Sequence, residues 1–188
     1  MVSYLVLLFA LLSRLLPPLM HVSPWSWTTA DGSLWNFTAV GGSLLFFGAR
    51  RPRSQAAIAV LALMASDYML TVYAYHYPFH ITGYLVTWAW YAGVCLLGSS
   101  LLKRVTFLRV TGAVLASATS FFLLSNFAVW MGQMYAHTLA GLGACYAAAL
   151  PFYRNDLIST AVVAGVLFGV PALAARMAEA RHTQQTAA

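Results

Sequence analysis

Two polar residues lie in stretches that are otherwise apolar: Asp67 within residues 55–75 and Asn126 within 106–131. A carboxylate in hydrocarbon costs about 2.5–3.5 kcal/mol on insertion scales, so it marks a polar partner, a ligand or chemistry. Spacing gathers further groups around them. Asp67, Thr71 and Tyr75 follow i, i+4, i+8 and share a helix face. Tyr84, Trp88, Tyr91 and Cys95 stripe the next apolar segment, and Thr119, Asn126 and Trp130 the one after. A few placed polar groups against aromatic walls are the usual make-up of a small-molecule site. The candidate binding set is therefore Trp25, Asn36, Asp67, Tyr84, Trp88, Asn126, Trp130 and Arg154. Asp67, Tyr84, Asn126 and Arg154 would supply polar contacts. Trp25, Trp88 and Trp130 would stack or pack, and Asn36 opens the second apolar run.

Each of these residues has a plainer reading. Asp67 could cap a helix or pair with an arginine, and the aromatic stripe could be packing or an interfacial belt. Asn126 could bond a neighbouring helix. Asp156 is read as the N-cap of the last span. Asp67 with His76 or His80 could serve acid–base chemistry. The sequence contains no GxSxG, no HExxH and no GxxxxGK[ST], so no catalytic residue is assigned and ATP hydrolysis by a P-loop is excluded. His76 and His80 are the candidates for metal binding, but a lone loop histidine is usually no ligand. No metal or cofactor is expected. Cys95 and Cys145 fit no metal spacing and read as small packed hydrophobes.

The elements that must position these residues are membrane helices. The 188 residues are 61% hydrophobic and 7% charged, with a mean hydropathy of +0.75. A soluble domain carries about 25% charged residues. The net charge of +6 falls in short loops and near the C-terminus, which suits membrane topology rather than nucleic acid. Apolar runs cover 4–20, 36–49, 55–75, 81–102, 106–131 and 157–176. The first has no basic leader and no cleavage site and is interrupted by Arg14, so it reads as a retained span ended by Pro17 and Pro18. A further piece, 138–150, would be about 20 Å of helix, short for a hydrocarbon core of about 30 Å.

Basic clusters set the orientation: Arg50, Arg51 and Arg53; Lys103, Arg104 and Arg109; Arg176 and Arg181. Six spans place all three clusters and both termini in the cytoplasm, provided that 138–150 is a re-entrant half-helix. The expected fold is thus an all-α integral membrane protein. It is a six-transmembrane-helix bundle with that half-helix before the last span, one domain over 1–178, and a flexible cytoplasmic tail over 179–188. The outer loops hold HVSPWSWTTADGSLW, HYPFH and PFYRND, and with them four of the five histidines, His21, His76, His80 and His137.

This layout resembles the substrate-capturing S components of energy-coupling factor vitamin transporters. Gly83-Tyr84-Leu85 opens the fourth span. The stretch from Leu150 through Pro151, Phe152, Tyr153, Arg154, Asn155 and Asp156 to Leu157 and Ile158 is similar to one in biotin-capturing members. NFTAVGGSLLFFGA, SDYML and SNFAVW look like an uncharacterised bacterial family labelled as transport proteins. One departure concerns the coupling face. Ala10 is followed four residues on by Arg14, where many S components carry a second alanine.

The resemblance implies a bacterial inner-membrane protein that captures a small vitamin-like metabolite from the outer side and moves it inward. The tryptophan-rich first loop would be its lid. Its partners would be the small molecule, the lipid bilayer and an ATP-driven coupling module, or the chain would act alone as some cobalamin-capturing relatives do. The alternatives are an intramembrane enzyme using Asp67 and a loop histidine, or a structural subunit of a membrane complex.

Overall fold

The computed structural model describes residues 1–19 and 38–186, with side chains to residue 15 and from 38 to 185. The proposed lid, Trp25 and Asn36 lie outside the described residues. Helix α1 runs Val2–Leu19, α2 Val40–Arg50, α3 Ala56–Met69, α4 Ile81–Leu101, α5 Phe107–Trp130, α6 Leu139–Ala164 and α7 Val170–Thr186. A π-turn, Leu70–Ala74, prolongs α3, and another, Gly165–Gly169, joins α6 to α7. No strand occurs among the described residues. Four helical stretches are long and apolar enough to cross a membrane: Arg53–Ala74, Ile81–Leu101, Phe107–Trp130 and Leu139–Gln185.

The centre of the bundle is α2. Every residue from Val40 to Gly48 is buried, because α1, α3, α4, α5 and α6 all pack around it. Glycines let the backbones approach. A Cβ on Gly48 would run into the carbonyl of Cys95 on α4, and one on Gly98 of α4 into the carbonyl of Leu45 on α2. On the opposite side Gly42 faces Val163 and the backbone of Ala164 on α6. Close contact through small residues is how helices associate where no hydrophobic drive separates lipid from protein. Leu44, Leu45, Phe47, Leu63, Val94 and Leu102 fill the remaining core.

One end of the bundle collects basic residues. Arg51 donates to the Tyr4 hydroxyl at 2.7 Å and lies 4.4 Å from that ring's centre, and the same hydroxyl donates to Gln55 at 3.0 Å. Arg53 donates to Ser99 and Ser100, each at 3.1 Å, which ties the α2–α3 turn to the end of α4. α5 leaves this end and α6 returns to it alongside, with Cys145 bonded to the Asn126 carbonyl and Tyr153 paired with Thr119. α7 therefore emerges at the basic end. There Phe168, in the turn just before it, meets Phe46, one helical turn from Arg50 on α2.

Three expectations about the elements change. The 138–150 piece is not a separate half-helix. Thr138 caps α6 by accepting from the Gly141 amide at 3.1 Å, and the helix then runs unbroken through Pro151 to Ala164. A proline is tolerated in a membrane helix when neighbours re-satisfy the freed carbonyl. The polar PFYRND stretch is not a loop either, because Asn155 and Asp156 turn into the bundle. Asp156 consequently stands mid-helix and caps nothing. The second expected span is also shorter than a crossing, since the 11 residues of α2 reach about 16 Å. Within 179–188, the described residues are helical as far as Thr186.

Candidate functional site

Asp67 sits one turn before the π-turn that ends α3 and is 3% exposed. Its carboxylate meets Arg14 of α1, with Nη2 to Oδ1 at 2.6 Å. Trp88 of α4 donates its indole N–H to Oδ2 at 2.9 Å, and the Tyr91 hydroxyl donates to Oδ1 at 3.3 Å. Arg14 spreads its second nitrogen to the Ser66 hydroxyl at 2.9 Å and to Tyr91 at 3.2 Å. Both charges are therefore hydrogen-bonded to several side chains, which offsets the cost of holding an ion pair in the bundle. The network joins α1, α3 and α4 at one level.

The π-turn after Asp67 is part of this arrangement. Thr71 donates to the Asp67 carbonyl at 2.7 Å, and its hydroxyl also pairs with the Tyr84 hydroxyl. π-turns recur at functional sites. The chain then turns at His76, whose φ is +55°, and sends Phe79 back over α4. Phe79 stacks on Tyr84 at 5.0 Å and on Trp88 at 6.2 Å, with interplanar angles of 14° and 27°. An aromatic stack thus closes the network on the side away from the basic end.

Beside the network lies a cavity of about 250 Å³. Arg14, Thr38, Val40, Gly41, Asp67, Tyr84, Thr87, Trp90, Tyr91, Phe121 and Asp156 line it. The N-terminus of α2 opens into it. Ala39 provides no side-chain cap, and the first amides of a helix have no intrahelical acceptor, so this end presents N–H groups and partial positive charge. A second cavity of about 230 Å³ adjoins, lined by Phe122, Ser125, Asn126, Ala149, Phe152 and Tyr153, and it shares Phe121 and Asp156 with the first.

The structure brings some of the expected residues together and leaves others apart. Asp67 and Tyr84 line the first cavity, and Trp88 is bonded to Asp67. Asn126 lines the second cavity but spends its amide on the Phe122 carbonyl of its own helix at 2.7 Å. Trp130 is at the far end of α5, bonded to the Ala136 carbonyl at 3.0 Å and edge-on to His137. Arg154 is exposed on the outside of α6 and lines neither cavity. Neither His76 nor His80 reaches Asp67, and no group of three or more His, Cys, Asp or Glu able to hold a metal occurs among the described residues.

Sequence reasoning missed Arg14 and Asp156 as site residues. For Arg14 the signal was present, since a lone arginine in an apolar run needs a buried partner. Trp90 and Phe121 carried no such signal.

The chain is thus an all-helical bundle with four stretches long and apolar enough to cross a membrane and a polar cavity beside a buried ion pair. It belongs to the family of unknown function DUF6580, which matches residues 1–184. No curated protein and no solved structure matches it.

Proposed function

We propose that this is an inner-membrane substrate-binding transport protein that captures a small vitamin-like metabolite in the cavity beside Arg14 and Asp67. The observation that carries the reading is the composition of that cavity. A hydrogen-bonded ion pair, the N-terminus of α2 and the hydroxyls of Thr38 and Thr87 share a cavity of about 250 Å³ with the rings of Tyr84, Trp90, Tyr91 and Phe121. Donors and acceptors converge with ring faces, which suits a compact metabolite carrying a ring and a carboxylate or carbonyl. The ring would lie against Trp90, Tyr91 and Phe121. The anionic group would meet the α2 amides and Arg14, as substrates do at helix ends inside membranes.

In this reading α1 joins the four long stretches as a crossing, and α2 is a short central helix that ends partway. The basic end, with both chain ends, faces the cytoplasm, because Arg50, Arg51, Arg53, Lys103, Arg104 and Arg109 gather there. Phe79 and the turn at His76 then lie at the outer mouth. The metabolite would enter past the aromatic stack, and movement inward would need rocking of the bundle, alone or driven by an ATP-hydrolysing partner. The enzyme alternative is weaker, because Asp67 is held by Arg14, Trp88 and Tyr91 and neither loop histidine is among its partners.

The test is ligand-dependent melting of the purified chain against a panel of vitamins, biotin and cobalamins included. A ligand at about 100 times its dissociation constant stabilises by about 2.7 kcal/mol, which appears as a clear rise in Tm. The rise should disappear in Thr87→Val with Tyr84→Phe, a pair that leaves the ion pair intact. A panel that moves Tm nowhere would remove the capture reading.

A further inference from the structure

The second cavity has no part in the capture just described. It lies between α5 and α6, holds about 230 Å³, and meets the first cavity at Phe121 and Asp156, each of which lines both. The two spaces differ in chemistry. The first is walled by charged side chains and hydroxyls, among them Arg14, Asp67, Thr38 and Thr87. The second presents the rings of Phe121, Phe122, Phe152 and Tyr153 and the methyl of Ala149.

The polar groups of the second cavity are largely engaged within the bundle. The Ser125 hydroxyl donates its one hydrogen to the Phe121 carbonyl at 2.6 Å, and the Asn126 amide donates to the Phe122 carbonyl at 2.7 Å. The Tyr153 hydroxyl pairs with that of Thr119 at 2.9 Å. What is left for an occupant is mainly ring and methyl surface. An apolar cavity of about 150 Å³ takes a benzene, so a space of about 230 Å³ has room for an apolar group of about eight carbons.

We propose that the second cavity is the subsite for an apolar extension of the captured metabolite. The ligand class is then an amphiphile, a ring bearing a carboxylate or carbonyl with a hydrocarbon tail. The assignment rests on capture in the first cavity, since the head must be held there for the tail to reach past Phe121. Phe121 stands at the joint with its ring 4.7 Å from that of Trp90. It is the wall against which the head lies and the edge that the tail must pass, so it sets where one ends and the other begins. The shared wall also names the occupant. A tail entering from the first cavity brings its head within reach of Arg14 and the α2 amides, whereas a lipid chain lodged between α5 and α6 would make no use of the joint.

The probes are benzoate and its para-alkyl derivatives, from ethyl to dodecyl. The full chain in detergent is titrated with each, and the midpoint of the Tm rise is read. The midpoint should fall about fourfold for each added methylene, the factor that corresponds to about 0.8 kcal/mol. The fall should level off near octyl, where the cavity is full. Ser125→Leu, which pushes a side chain into the second cavity from α5, should remove the gain with length and leave the benzoate midpoint where it was. Ala149→Leu does the same from α6 and decides alone should Ser125→Leu fail to fold. Midpoints that ignore tail length would overturn the subsite, while a hit in the vitamin panel would keep the capture reading. A gain that persists in both variants would also overturn it and assign the tail to the micelle or to a lipid-facing groove. If no benzoate moves Tm but a vitamin does, the amphiphile class is wrong and capture stands. If neither set moves Tm, both readings fall.

Discussion

Asp67 is held by three donors from two helices, and that makes it a structural keystone as well as a candidate binding group. Breaking one side of a buried ion pair strands the other charge, at a cost of about 3–5 kcal/mol. Asp67→Leu or Arg14→Leu alone should therefore lower Tm sharply in detergent. The double substitution should recover much of the loss, because two apolar side chains leave no stranded charge. A double variant as unstable as the worse single one would mean that the pair's geometry, and not its charge balance, holds α1 to α3. Removing the Trp88 N–H in Trp88→Phe takes away one hydrogen bond to a charged group. It should cost about 1.5–3 kcal/mol, while the stacking partners Phe79 and Tyr84 still find a ring to meet.

At the scale of elements, the bundle depends on two backbone contacts between α2 and α4. Gly48→Ala and Gly98→Ala would each drive a methyl into a carbonyl that cannot move without its helix. Overpacking of this kind costs about 1–3 kcal/mol. Gly93→Ala, five residues before Gly98 on α4 but with nothing near its Cβ, should instead stabilise by about 0.5–1 kcal/mol through helix propensity. Melting curves of the three variants test the contact directly, since composition and helix are the same in two of them and only the neighbour differs.

The elements also mark where the sequence was legible. Apolar runs gave the positions of α3, α4 and α5 well, because a helix in hydrocarbon must be continuous and apolar to satisfy its backbone. The i, i+4 spacing brought Asp67 and Thr71 to one face, and the π-turn then placed Thr71 against Tyr84. Periodicity failed at Pro151 and the polar residues after it. They imitate a loop followed by a capped helix, yet a neighbouring helix can accept the same groups inside a continuous one. Asp156 lines one cavity with Gly41 and Asp67, which are far away in sequence, and no local pattern reports such a meeting. Arg154 was drawn into the candidate set by its neighbours, although its own face of α6 points outward with Leu150 and Ile158.

For the whole molecule the open question is which end meets the cytoplasm. The outer surface between the ends is apolar, with Leu61, Leu85, Leu96, Leu115, Leu124, Val162 and Val166 all exposed, as suits contact with hydrocarbon. Cationic side chains collect at the end formed by the α2–α3 and α4–α5 turns, while the opposite end carries His76, His80 and His137. Under the proposed membrane reading, the positive-inside rule predicts that the basic end faces the cytoplasm. Both native cysteines are buried, at 1% and 2% exposure, so the wild-type chain supplies a low background for thiol labelling. His80→Cys should react with a membrane-impermeant maleimide added outside intact cells, and Arg104→Cys should react only after the membrane is opened. The reverse pattern would turn the bundle over and put the aromatic stack on the cytoplasmic side. A cavity entered past Phe79 would then serve release or export rather than capture from outside.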